Sequence, residues 1–332
     1  MRIYFISPNP VWGGAATANM AIARLLAVDH TVLYNDEYNN LGIENVTYDS
    51  FPVHKLKDSG SLYAHIREMK IDWVIWGVAM NLPYYRSLIS KLKRDNIRQC
   101  VIFHSLSISR SIRGRLMEWL VSRSLNNIDH LVFVSNYTDS SWSKYKTVRK
   151  HLNHHVIYNP INVDQLKVNS DKGRVGFVGR LSAEKQPEVF AKISEIDNLD
   201  RYIAWGGGEM LDDLRNRYPK VEFKGHSSNQ DAIYESFDIL VMTSLFENCP
   251  MVILEAWKRG IPCVVPSVGG IPEIVKNNLT GILYHGYDVN VILSGIKNIK
   301  QDYAFYSRNC SEVVQNFSFE NIKSKWNKII NY

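Results

Sequence analysis

Short apolar runs rich in β-branched and aromatic residues recur along the whole chain, and between them apolar residues return every three or four positions. The runs are Arg2 to Ser7, Thr31 to Tyr34, Trp73 to Trp76, Cys100 to Phe103 and His130 to Val134, then Arg174 to Val178, Tyr202 to Trp205, Val221 to Lys224, Ile239 to Met242, Cys263 to Val265 and Gly281 to Tyr284. Each predicts a strand. The intervening stretches, such as Ala15 to Ala27, Tyr84 to Lys93, Pro187 to Ile196, Met210 to Tyr218, Pro250 to Arg259 and Ile271 to Lys276, predict helices. Strands alternating with helices imply parallel sheets covered on both faces, here as two doubly wound α/β units in tandem. The polar, aperiodic stretch Asn162 to Lys172 marks the junction, giving a first unit of residues 1–165 and a second of 166–317. His151, His154 and His155 have no ligand spacing and read as loop residues.

Ligands of doubly wound sheets lie beyond the carboxyl ends of the strands, and two such units facing each other form a cleft there, so residues just after strands are the places to look for chemistry. Ser244 to Pro266 (SLFENCPMVILEAWKRGIPCVVP) is the most informative stretch. Pro250 suits a first helical position and Gly260 a left-handed end, which brackets a helix over 250–259. Its first N–H groups, at Met251 and Val252, then lack intrahelical acceptors and suit a phosphate. Glu247 lies in the loop before that helix. Glu255, embedded among Val252, Ile253, Leu254, Ala256 and Trp257, needs donors: either the hydroxyls of a ribose or a structural arginine. Arg180 leaves the end of one predicted strand and Lys185 lies near the start of the next helix, so both reach one crevice; a surface pair of Lys185 with Glu184 is the alternative.

Gly206, Gly207 and Gly208 follow another strand, as Gly13 and Gly14 follow the first, and glycines there let a backbone approach a ligand closely. Neither run is G-x-G-x-x-G, which counts against a nicotinamide enzyme. His104 ends the strand Val101 to Phe103, placed either to meet a sugar hydroxyl or a proton in transit, or to serve as a structural histidine. No D-x-D triplet occurs, so no carboxylate-held metal and no cofactor is expected; Arg180, Lys185 and the helix N-terminus offer the positive charge instead.

Composition narrows the class. The 332 residues are 45% hydrophobic and 22% charged, which excludes a disordered or fibrous chain. No apolar run approaches the roughly 20 residues a membrane crossing needs, Met1 to Ser7 runs straight into Pro8, and the four cysteines are widely spaced, so a cytoplasmic protein without leader or anchor is expected. Of the net charge of +6, all the excess lies before residue 166, and Arg86 to Lys150 holds 13 basic residues against four acidic ones. Such a surface attracts an anionic partner or is simply solvated. Within it, Ser109 to Leu125 reads as a helix with Ile112, Leu116, Trp119 and Leu120 on one face and Arg110, Arg113, Arg115 and Arg123 around it. That pattern docks on an anionic membrane surface, or packs its apolar face into the first unit.

Read together, these residues resemble the retaining GT-B glycosyltransferases of family 4 (group 1). The similarity rests on VGRLSAEK (178–185), WGGGE (205–209) and the E-x7-E spacing of Glu247 and Glu255, with thinner support from Gly13-Gly14, His104, VSN (134–136) and VIYNPIN (156–162). It implies two Rossmann-like domains, with a nucleotide-diphosphate-sugar donor held by the second. Arg180 and Lys185 would sit on the diphosphate, Glu255 on the ribose and Glu247 on the transferred sugar. Backbone at Gly206, Gly208 and Asn248 to Val252, including Met251, would complete the donor contacts, with Gly14 approaching from the first domain and His104 beside the reacting sugar. The resemblance further implies a final helix, about 318–332, packed on the first domain and a glycan or lipid-linked acceptor in cell-surface polysaccharide synthesis. It also implies peripheral attachment to the inner face of the plasma membrane and no nucleic-acid partner. Gln186 stands where the family often has glycine, and Asn248 and Cys249 replace commoner small residues. A nucleotide-sugar epimerase on the same architecture and a non-enzymatic basic scaffold for nucleic acid or membrane remain as alternatives.

Overall fold

A computed structural model describes residues 1–7, 13–28, 30–32, 59–107, 109, 111–163, 170, 173–197 and 201–331. It divides into two compact units, one of Met1–Pro160 with Ile322–Tyr332, the other of Ile161–Asn321. Most of the stretch read as the junction, 162–172, lies outside the described residues.

The first unit contains β1 (Ile3–Ile6), β2 (His30–Val32), β3 (Trp73–Trp76), β4 (Arg98–Phe103), β5 (His130–Phe133) and β6 (His154–Val156), paired in parallel in the order β2-β1-β3-β4-β5-β6. Every residue of β1, β3 and β5 is buried, because helices cover both faces, and that is why these strands read as unbroken apolar runs. The second predicted strand starts one residue earlier than Thr31, and Leu33 and Tyr34 fall outside the described residues. Strand β6 corrects the loop reading of His154 and His155: they pair with Leu131 and Val132 of β5 in a three-residue strand too short to show a periodicity. The last helix, Phe319–Ile330, sets Lys325 5.8 Å from the ring of Tyr158, within this unit.

The second unit contains β7 (Arg174–Val178), β8 (Arg201–Trp205), β9 (Val221–Gly225), β10 (Ile239–Val241), β11 (Cys263–Pro266) and β12 (Gly281–Tyr284), all parallel, in the order β12-β11-β10-β7-β8-β9. Numbered from β7, this is the 3-2-1-4-5-6 order of a dinucleotide-type sheet. The chain winds outward from β7 through β8 and β9, then returns to start again beside β7 at β10. The strand order therefore reverses between β7 and β10, and the carboxyl ends of these two strands are where a sheet of this kind binds its ligand. In the first unit the reversal falls between β1 and β3.

Two local details differ from the sequence reading. Pro250 (φ −69, ψ 120) is the extended cap before the helix Met251–Trp257 rather than its first residue, and Gly260 ends the following turn with φ +65. The basic helix begins at Ile112, because the Ser111 hydroxyl accepts the Gly114 N–H at 3.0 Å and caps it there.

Gln186 caps the helix Pro187–Ile196 in the left-handed region (φ 45, ψ 51), and its side-chain oxygen is buried with no hydrogen-bond partner among the described residues. A non-glycine residue there costs about 1 kcal/mol, and glycine loses part of that gain through a freer unfolded chain. Gln186→Gly should therefore raise stability by about 1 kcal/mol once the orphaned oxygen is also removed. A urea midpoint that falls in the variant would contradict this.

Candidate active site

In the second unit the site is built from the loops after β7, β8 and β10. Gly179 N–H bonds Trp205 O at 3.0 Å and Leu181 N–H bonds Gly207 O at 2.8 Å, so the first two loops are zipped together beyond the sheet. A Cβ on Gly206 (φ 137) would stand 1.8 Å from Gly179 O, and one on Gly208 (φ 153) 2.4 Å from Leu181 O. These glycines are required for backbone to meet backbone, whatever else approaches them. Between the anchored positions Arg180 is exposed, and its guanidinium has no hydrogen-bond or ion-pair partner among the described residues.

Lys185 is set by the Thr243 hydroxyl, which donates to the carbonyls of Lys185 and Gln186 at 2.8 and 2.9 Å and ties the β7 loop to the β10 loop. Its Nζ donates to Glu247 Oε1 at 2.7 Å and lies 3.5 Å from Glu184 Oε1. Ser244 Oγ donates to the same Glu247 oxygen at 2.8 Å, leaving Oε2 without a partner among the described residues. The lysine and glutamate side chains are 23% and 13% exposed, so the pair is only partly screened by water. Behind Glu247, Gly270 N–H bonds its carbonyl at 2.9 Å, and a Cβ on Gly269 (φ 59) would come within 1.8 Å of that oxygen. Sequence reasoning passed over Gly269 and Gly270, although a glycine pair in the loop, separated from an apolar strand by two residues, is a signal of the same kind as Gly206 to Gly208.

Glu255 is 7% exposed. Its carboxylate accepts from Tyr234 OH at 2.5 Å on Oε2 and from Gln230 Nε2 at 3.0 Å on Oε1. Arg259, the arginine nearest in sequence, donates instead to the Glu255 carbonyl and to Asp231. Burial pushes the Glu255 carboxyl up, opposed by the Tyr234 hydrogen bond and by Arg259, Lys258 and Gln230. Asn248 and Val252 are half-buried and Met251 and Cys249 buried around the start of the helix. Lys185 and Glu247 thus meet directly, while no hydrogen bond or ion pair joins either of them to Arg180 or Glu255 among the described residues.

In the first unit His104 follows β4, and its Nε2 lies 2.7 Å from Oδ1 of Asn19, a fully buried residue of the helix Gly14–Leu26. Asn19 Nδ2 donates to Gly77 O and Ser7 Oγ, both at 2.8 Å. A carbonyl only accepts, so Nδ2 must face Gly77 and Oδ1 must face the histidine, which makes His104 Nε2 the proton-bearing nitrogen. Asn19 is a second residue that sequence reasoning missed, signalled by a polar side chain on the Ala16–Ile22–Ala23 stripe that faces the core. His104 opens onto a cavity of about 80 Å3 bordered by Ala15, Gly77, Met80, Ser105 and Trp142. Gly14 stands in open space at the start of the helix.

Burial drives the His104 ring down from 6.5 to about 4, and burial with neighbouring His155 does the same to His130. Both are bases held neutral in the folded state, so the stability they contribute is whole above pH 6.5 and is lost as pH falls toward 4. Unfolding free energy should drop over that window, by up to about 3 kcal/mol for the His104 ring and by less for His130, which is partly solvated and interacts with His155. His104→Gln should flatten the slope, and an unchanged slope would contradict the assignment.

The helix Ile112–Ser124 buries Glu118, Val121, Ser122 and Ser124, while Ile112, Leu116 and Trp119 are 82%, 54% and 45% exposed. Three of the four stripe residues therefore face outward, against the alternative of inward packing, while Leu120 is half-buried. Glu118 fixes this rotation: its carboxylate accepts from Ser109 N, Lys144 Nζ and Tyr145 OH at 2.9, 3.1 and 3.1 Å. Arg113 and Arg115 are exposed, and the Arg123 guanidinium lies 5.0 Å over the Trp119 ring. Arg110 lies outside the described residues. Among the described residues no helix is long and apolar enough to cross a membrane, and no three His, Cys, Asp or Glu side chains cluster as metal ligands.

Comparison with known proteins gives two family matches. The model described as Glycosyl transferases group 1 matches residues 172–302, and that described as Glycosyltransferase Family 4 matches residues 12–165. A Campylobacter jejuni alpha-1,4-N-acetyl-D-galactosaminyltransferase named for an undecaprenol-diphosphate-linked substrate is 26% identical over 365 aligned residues, 99% of this chain and 98% of that one. An Escherichia coli UDP-Gal:alpha-D-GlcNAc-diphosphoundecaprenol alpha-1,3-galactosyltransferase is 29% identical over 154 residues, 42% of this chain and 40% of that one. The chain spans about half or less of the length of several curated relatives it matches. Anabaena HepE, solved with UDP-glucose, superposes with a TM-score of 0.83 at 18% identity over 100% of this chain and 99% of that one, which shows a shared fold.

Proposed function

The chain belongs to the group 1, family 4 glycosyltransferases, whose two models match its two halves, and on that premise we propose that it moves a sugar from a nucleoside-diphosphate donor to a glycan or lipid-linked acceptor. The observation that carries the reading is Lys185 meeting Glu247 where the strand order reverses between β7 and β10. In this reading Lys185 and Arg180 take the diphosphate, Glu255 the ribose, and the open Oε2 of Glu247 a hydroxyl of the sugar. UDP-sugars are the first donors to test, in view of the ligand of HepE and the donor of the Escherichia coli relative. The relatives are transferases, which supports transfer over epimerisation or a binding scaffold.

As the bond from the anomeric carbon to the diphosphate oxygen breaks, negative charge builds on the leaving phosphate, and preorganised cations there lower the barrier. The acceptor oxygen attacks the same face of the sugar and its proton passes to the departing phosphate, so the anomeric configuration is retained. The positive charge comes from Arg180, Lys185 and the amides at the start of the Met251–Trp257 helix, and turnover therefore survives chelation of divalent ions. Within the first unit His104 is neutral and donates through Nε2 to Asn19, so it contributes no positive charge to the reaction.

The test is incubation of the protein with labelled UDP-, GDP- and TDP-sugars and undecaprenyl-diphosphate-linked acceptors, with and without EDTA. The expected result is a labelled product whose anomeric coupling matches the donor, unchanged by EDTA. Absence of product from every donor and acceptor contradicts the reading.

The outward stripe of Ile112, Leu116 and Trp119 among arginines supports docking on an anionic bilayer. Each surface arginine adds about 1 kcal/mol of attraction, so Arg113→Ala with Arg115→Ala should weaken co-sedimentation with phosphatidylglycerol vesicles about tenfold or more, and leave donor binding intact. Undiminished sedimentation would rule out this helix as the docking element.

A further inference from the structure

The carboxylate of Glu255 is held from outside its own helix. Tyr234 and Gln230 belong to the short helix Gln230–Tyr234, before β10, and they supply one donor to each of its oxygens. Tyr234 is itself locked. It is 1% exposed, meets Phe237 edge-on at 5.7 Å, and carries the Arg259 guanidinium 4.9 Å over its ring. Arg259, 3% exposed, in turn spans the Glu255 carbonyl at 3.0 Å and Asp231 Oδ1 at 2.7 Å, joining both helices. The charged and titratable groups facing the carboxylate are thus Tyr234, Arg259 and Lys258, with Asp231 behind Arg259.

An ionised carboxylate has about four acceptor positions, two on each oxygen. The protein fills one on each, which leaves one on each: the number that a vicinal diol fills with its two O–H donors. A carboxylate turned freely would present any pair of its lone pairs, whereas one pinned at both oxygens presents a fixed pair, and preorganisation of that kind raises selectivity.

We propose that Tyr234, assisted by Gln230, is a positioning residue for the nucleotide ribose: it fixes Glu255 as a two-point acceptor for the 2′- and 3′-hydroxyls and thereby sets a preference for ribonucleotides over deoxyribonucleotides. The proposal rests on the reading that Glu255 meets the ribose. Burial works against the ionised carboxylate, and the Tyr234 hydroxyl works for it. Removing that hydroxyl raises the pH below which Glu255 is protonated, and affinity is then lost at a higher pH on acidification.

Calorimetric titrations of UDP, GDP and ADP, each beside its 2′-deoxy analogue, at pH 5 to 8 test this on the full chain. The wild type should bind its best ribonucleotide about tenfold or more tightly than the deoxy analogue, and Glu255→Ala should abolish the difference. Tyr234→Phe should cut the ratio to about threefold or less, weaken ribonucleotide binding about tenfold, and move the acid loss of affinity upward. Gln230→Ala, at an exposed position that the fold tolerates, should lower the ratio by a smaller factor and keeps the test decisive if Tyr234→Phe does not fold. Full discrimination and an unmoved acid limb in both variants, with Glu255→Ala still indifferent to the 2′-hydroxyl, overturns the proposal and leaves the ribose reading standing. A wild type that does not discriminate, or binds none of the six, overturns both.

Discussion

Lys185→Met lowers turnover about 100- to 1,000-fold, the loss expected when one preorganised donor is withdrawn from a developing anion. Methionine keeps the apolar stem and removes the charge, so the effect isolates the ammonium. Because the charge on the leaving phosphate grows as the bond breaks, kcat should fall more steeply than the affinity for UDP. The structural side effect is bounded. Glu247 loses its 2.7 Å partner but keeps the Ser244 hydroxyl at 2.8 Å and some exposure to water, so unfolding free energy should fall by no more than about 2 kcal/mol. Steady-state kinetics with urea melts on the same preparation separate the two. Wild-type kcat in Lys185→Met would remove the lysine from the mechanism.

Gly269→Ala is the second large effect, and it acts without touching a ligand. The residue sits at φ 59, where an L side chain is strained, and its new Cβ would fall 1.8 Å from the Glu247 carbonyl oxygen. Carbonyl and methyl carbon must separate by more than 1 Å, and the only ways are to move the Ser244 to Asn248 loop or to break the Gly270 N–H bond to that carbonyl. Either displaces Glu247 from Lys185. A misplacement of about 1 Å costs on the order of 100-fold in rate, and the strain removes about 2 to 3 kcal/mol of stability. Gly207→Ala, with nothing within 4 Å of its Cβ, should leave stability unchanged and shows that the effect is local. A Gly269→Ala protein with wild-type kinetics and melting would mean the loop is not fixed as described.

Much of the fold was legible because parallel strands buried on both faces read as unbroken apolar runs, as Trp73 to Trp76 and His130 to Val134 do. Strand β6 was not, since three residues at the edge of a sheet carry no period. The separate halves of the site were also readable: Arg180 and Lys185 after one strand, Glu247 after another. Their meeting was not, because β7 and β10 become neighbours only through the return of the chain across the sheet, and Lys185 and Glu247 are 62 positions apart. Glu255 shows the limit more sharply. The two partners expected for it were a ligand or an arginine, yet it is held by a tyrosine and a glutamine from a five-residue helix whose sequence announces nothing. For the helix Ile112–Ser124, periodicity located the apolar stripe but not its direction. The direction was decided by Glu118, whose three donors come from the preceding loop and from Lys144 and Tyr145.

In the proposed reading Arg180 and Lys185, the latter paired with Glu247, form the seat of a nucleoside diphosphate in the second unit. A crystal structure of the protein grown with UDP tests it most directly. The account predicts diphosphate oxygens within hydrogen-bond distance of Lys185 Nζ and the Arg180 guanidinium, at the carboxyl ends of β7 and β10. A diphosphate bound elsewhere, with the Lys185 and Glu247 pair closed as it stands, would contradict it.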